Sequence, residues 1–76
     1  MKIVKIRCIK NGYNITKGKL YDIKVYDNST ATDELKHSTG VYITDNYGTS
    51  RYYLSEYFID VEDKQTWRNL QFEELL

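Results

Sequence analysis

The sequence predicts a mainly β fold: a small antiparallel barrel of five strands followed by a short C-terminal helical tail. Three observations carry this. Apolar and polar residues alternate in short runs, with Val4, Ile6 and Cys8 set against Lys5 and Arg7, and Tyr21, Ile23 and Val25 set against Asp22 and Lys24. A period of two with charges on one face is the pattern of a half-buried strand. A Gly-bearing loop, Thr16-Lys17-Gly18-Lys19, runs into the second of these runs, and a tight Asp45-Asn46-Tyr47-Gly48 turn joins two more strands; Gly in such a turn supplies the positive φ it requires. Length completes the argument. A chain of 76 residues is one domain at most, and at that size folding buries only roughly 60–65% of the unfolded surface. Eight tyrosines within 14% aromatics can fill such a thin core with few, large side chains.

Strand one is expected over Lys2–Ile9. Lys10–Gly18 follows as a long loop containing the turn-forming pairs Asn11-Gly12 and Lys17-Gly18,. Strand two is Leu20–Tyr26, and either of its faces could point inward, since Leu20 lies on one and Tyr21 on the other. Asp27–Thr39 is rich in Ser, Thr and Asp and reads as a polar loop, with one helical turn at Thr32–Lys36. Strands three and four, Val41–Thr44 and Ser50–Leu54, form a hairpin. Ser55-Glu56-Tyr57 reads as a 3₁₀ turn capped by Ser55, and Phe58–Val61 as a short closing strand. The expected core is Val4, Ile6, Cys8, Leu20 or Tyr21, Ile23, Val25, Val41, Ile43, Leu54, Phe58 and Ile59. The barrel unit is thus residues 1–62 and the tail residues 63–76. In the tail, Asp63 is a plausible N-cap, and the apolar residues fit neither a clean helical stripe nor a strand, so a marginal helix completed by packing is expected.

Long loop, polar loop, tight hairpin, 3₁₀ turn and short last strand, in that order, is the order of an SH3-like barrel. A five-stranded OB-like barrel is the alternative. The chain also resembles a group of small proteins common in phages and prophages of low-GC Gram-positive bacteria. The matching elements are Cys8-Ile9-Lys10-Asn11, Thr16-Lys17-Gly18-Lys19-Leu20-Tyr21-Asp22-Ile23, Tyr42-Ile43-Thr44-Asp45-Asn46-Tyr47-Gly48 and Ser55-Glu56-Tyr57-Phe58. They cover residues 8–61 and exclude the tail. The resemblance implies an SH3-like fold and a phage origin, and no activity. Such phage barrels often occupy a surface on a host replication, transcription or defence protein. The acidic aromatic loop motif, paired tryptophans and groove proline of eukaryotic signalling SH3 domains are missing here, so recognition of proline-rich peptides is not carried over.

Composition narrows the function classes. One Cys and no Pro exclude a disulfide framework and a cysteine zinc site. No apolar run is long enough to span a bilayer, and a cytoplasmic protein of a bacterial host is expected, with no membrane partner. Cys8 shares the face of Val4 and Ile6 and reads as a small buried hydrophobe. His37 lies in the polar loop with no fixed relation to it. Asp45–Gly48 lacks the further acidic positions of a calcium loop, and Lys17-Gly18-Lys19 precedes a strand where a phosphate loop would precede a helix. No catalytic residue, metal ligand or cofactor is expected, and the chain reads as a binding protein.

Two surfaces are candidates for that binding. Net charge is zero, but residues 1–26 carry seven cations against Asp22, while residues 56–76 carry six carboxylates against Lys64 and Arg68. Lys10, Tyr13, Lys17, Lys19, Tyr47, Arg51 and Tyr53 interleave cations with aromatics, a combination that can contact phosphates and stack on bases of a single-stranded nucleic acid. Tyrosine is equally favoured at protein interfaces, and with zero net charge nucleic acid ranks second to protein. The tail concentrates Trp67, Leu70, Phe72, Leu75 and Leu76, which are too many large apolar groups to stay in water. They are expected against the barrel, in a homodimer, or on a host protein. Gln71-Phe72-Glu73-Glu74-Leu75-Leu76 also looks like the short motif by which proteins dock on the bacterial replication sliding clamp, with Gln71 fixing register and the apolar residues filling a pocket. It departs from that motif at Glu74, where a Leu is usual.

Overall fold

The computed structural model describes the backbone of residues 1–75 and the side chains of residues 1–73. Five strands and two α-helices follow one another as β1 (Lys2–Cys8), β2 (Leu20–Val25), α1 (Ala31–His37), β3 (Gly40–Thr44), β4 (Ser50–Leu54), a 3₁₀ turn (Ser55–Tyr57), β5 (Phe58–Asp60) and α2 (Lys64–Leu75). The strands make two antiparallel sheets, one ordered β2-β1-β5 and the other β3-β4. In the first, Ile6 of β1 sits opposite Tyr21 on one side and Asp60 on the other. Among the described residues no backbone ladder closes the sheets into a barrel. β2 packs beside β3 with no ladder between them.

One core fills the space between them. Ile6, Cys8, Tyr21, Ile23 and Val25 come from the first sheet, and Val41, Ile43 and Tyr53 from the second. Tyr21 and Tyr53 each meet the Phe58 ring edge-on, with centroids 6.1 and 6.2 Å away, the geometry their quadrupoles favour. Because strand side chains alternate, burying Tyr21 turns Leu20 outward, where it is 41% exposed. Strand two therefore faces inward with Tyr21, Ile23 and Val25. The same rule corrects strand four: Tyr53 is the core residue, and Leu54, expected inside, is 45% exposed. Val4 and Ile59 are only partly buried.

The polar segment, expected to be a loop with one helical turn at Thr32–Lys36, carries a helix of seven residues that includes that turn. The Thr30 hydroxyl accepts from the Asp33 amide while the Asp33 carboxylate accepts from the Thr30 amide, a reciprocal capping box,. So short a helix does not persist alone; Ala31 is fully buried and Leu35 packs against the core. Ser55, expected to cap the 3₁₀ turn, instead donates its hydroxyl to the Ser38 carbonyl at 2.7 Å, tying that turn to the end of α1. Gly40 is required by close approach: a Cβ there would lie 2.5 Å from the Tyr53 carbonyl and from the Tyr52 ring.

Candidate interaction surfaces

The first loop and the β3–β4 turn are stitched together at one end of the fold. Asp45 opens the turn, and its side chain is fully buried. One carboxylate oxygen accepts from the Tyr47 and Thr49 amides, each at 2.9 Å. The other accepts from the Arg51 Nε at 3.0 Å and from the Asn14 amide group at 3.3 Å. Burial alone would raise the Asp45 pKa, but these four donors outweigh it and hold the carboxyl below its ordinary value,. The turn closes on Gly48 at φ +81°, and the Gly48 amide donates to the Asp45 carbonyl at 3.0 Å. Asn46 makes the second stitch. Its amide donates to the Asn14 carbonyl, its side-chain NH₂ to the Thr16 hydroxyl, and its side-chain oxygen accepts from Lys19 Nζ and the Tyr21 hydroxyl, both at 2.8 Å.

This stitching brings together most of the expected cation and aromatic set. The Arg51 guanidinium lies 4.9 Å from the Tyr13 ring centroid, and Tyr13 and Tyr47 are 68% and 79% exposed. Lys10 sits 5.6 Å from the Tyr57 ring and 3.8 Å from the Glu56 carboxylate. Lys19 lies against Tyr21 and Asn46, and the Lys17 amide donates to the Asn11 side chain. Tyr53 is not part of the surface. It is buried beneath it and donates its hydroxyl to the Tyr13 carbonyl at 2.6 Å, and burial, together with the Asp45 charge, pushes its pKa up. Among the described residues Arg51 is paired with Asp45 and Lys10 with Glu56, which lowers the net positive field available to phosphates.

Helix α2 begins where the sequence predicts, with the Asp63 carboxylate accepting from the Thr66 amide at 3.1 Å,. Among the described residues, Trp67 ties it to β1 and the first loop. The Arg7 guanidinium lies 5.0 Å from the Trp67 ring centroid and donates to the Gly18 carbonyl at 3.0 Å, while the indole also lies over Gly18. Leu70 and Gln71 are half-buried, but Phe72 is 61% exposed. The Leu75 side chain and Leu76 lie outside the described residues.

Cys8 is fully buried, and burial pushes its thiol pKa up, the environment of an unreactive thiol. His37 is exposed in the last turn of α1. Among the described residues no three His, Cys, Asp or Glu side chains converge as a metal site, and no helix is long and apolar enough to cross a membrane. What the sequence reading missed is a pair of tyrosines across the second hairpin. Tyr42 and Tyr52 stand opposite each other with ring centroids 5.3 Å apart and are 70% and 53% exposed. Strand alternation opposite Val41, Ile43 and Tyr53 is the signal that could have found them. Comparison of the chain with protein families, curated proteins and solved structures gives no match.

Proposed function

We propose that this is a non-catalytic binding protein of phage type that modulates a host factor through protein–protein contacts, with α2 as the element that reaches the partner. The observation that carries this reading is the unequal seating of α2. Trp67 at its start is held on Arg7 and Gly18, whereas Phe72, five residues on, remains in water. A helix anchored at its base with an exposed aromatic beyond is suited to laying apolar anchors in a partner's groove. The sharpest candidate is the DNA replication sliding clamp, through Gln71, Phe72, Leu75 and Leu76. Calorimetry with a purified Gram-positive clamp tests it. The intact chain should release or absorb heat on binding, and joint replacement of Gln71, Leu75 and Leu76 by Ala should abolish that signal with little change in thermal unfolding. No heat from the intact chain overturns the clamp assignment.

The fold belongs to the same proposal. Two small sheets around one core, with a 3₁₀ turn between β4 and β5, fit an SH3-like barrel in strand order. A second reading, single-stranded nucleic-acid binding, draws on the exposure of Tyr13 and Tyr47 beside Lys10, Lys17, Lys19 and Arg51. Gel-shift titration discriminates it, because binding driven by phosphates weakens steeply as salt rises. Retention at low salt with that slope would put nucleic acid ahead of protein.

A further inference from the structure

The outer surface of the two sheets carries a ridge beside a groove. The ridge is the Tyr42–Tyr52 pair on β3 and β4. The groove, of about 640 Å³, runs where the outer face of β1 and β2 meets that hairpin, and Ile3, Lys24, Glu34, Tyr42 and Tyr52 line it. Ile3 is 64% exposed, so three large apolar groups stand in water around one concavity. None of them supports the core. Surface aromatics and aliphatics gathered in this way mark an interaction site.

We propose that this face pairs with a second copy of the chain across a two-fold axis, the tyrosine ridge of each copy entering the groove of the other. A two-fold contact must be self-complementary, and this face is so in both relief and charge. In relief it presents a ridge and an adjoining groove. In charge the groove carries one cation, Lys24, and two carboxylates, Glu34 and Asp22, and Lys24 and Glu34 make no ion pair with each other within one chain among the described residues. Across the axis Lys24 of each copy faces Glu34 of the other, giving two equivalent contacts. Asp22, the other carboxylate of the groove, is already paired with Lys5 at 2.7 Å. The zero net charge of the chain leaves no long-range repulsion between copies. The dimer lies on the strands and leaves α2, whose Trp67 is engaged within its own chain, outside the contact, so it is independent of the reading proposed for the tail.

Sedimentation equilibrium on the intact chain, from low micromolar to about 1 mM, tests the proposal, with thermal unfolding recorded for every variant. Dimerisation is expected within that range. Tyr42→Lys and Tyr52→Lys, at outward-facing positions, should each raise the dissociation constant roughly tenfold or more. Lys24→Glu alone and Glu34→Lys alone should each weaken association by roughly three- to tenfold, and the chain carrying both should recover it. Phe72→Ala should leave association unchanged. A monomer across the whole range, a dimer indifferent to Tyr42 and Tyr52, failure of the double charge exchange to recover association, or loss of the dimer in Phe72→Ala would each overturn it.

Discussion

Residues 10–19 and 45–53 are cross-linked by a buried carboxylate, an asparagine side chain and a tyrosine hydroxyl, across sequence separations of up to 40 residues. Among the described residues, helix α2 meets the same loop through the Trp67 indole, beside the Arg7 guanidinium. Both regions belong to candidate surfaces, yet they stand on different physics. The first is held by directional bonds, those to the Asp45 carboxylate being charge-assisted and shielded from water, where leaving a donor without its partner is costly,. The second is held by dispersion and cation–π attraction at a half-exposed contact, worth about 0.5–1 kcal/mol for the ion–ring term. A surface built the first way is presented in one geometry. An element built the second way can leave its seat at small cost.

That contrast breaks most visibly at Tyr53. Tyr53→Ala removes a ring packed on Phe58 beneath the stitched loop and should destabilise the fold by about 3–5 kcal/mol, measured by denaturant unfolding. Tyr53→Phe keeps the ring and loses only the bond to the Tyr13 carbonyl, so about 0.5–1.5 kcal/mol is expected. If the two substitutions cost the same, the hydroxyl and not the packing holds this end together. A smaller effect is expected from acid. The Asp45 carboxyl is held below its ordinary value of 3.8, so its contribution is complete above that pH and is lost as pH falls through the folded-state value. Stability followed from pH 7 downward should decline below about pH 4, and Asp45→Asn should flatten that part of the profile while lowering the plateau at neutral pH. The smallest change is expected at the tail. Trp67→Ala should cost about 1 kcal/mol, and hydrogen exchange should show lost protection confined to α2 with β3 and β4 unchanged. A loss of protection spreading into the hairpin would erase the distinction between the two regions.

Local patterns made much of this protein legible. Alternation placed the strands, Asp45–Gly48 marked the hairpin, and Asp63 marked the start of α2, because each reflects interactions within a few residues. The helix α1 was equally local, written in Thr30 and Asp33, but a polar composition concealed the capping pair. What the sequence by itself determined is therefore the order of the elements and which residues share a face of each. Only the tertiary structure decided which face turned inward, because strands two and four carry apolar residues on both sides and the choice depends on what the opposite sheet supplies. Tyr53 was buried in preference to Leu54 because its ring reaches Phe58 while its hydroxyl still finds the Tyr13 carbonyl. Ile15, buried from within a loop, and Asp45, buried with its charge, likewise depend on chain segments far away in sequence. Their environment is made by the fold, since a buried carboxylate is tolerable only where donors converge on it, here three from its own hairpin, Tyr47, Thr49 and Arg51, and one from Asn14 in the first loop,.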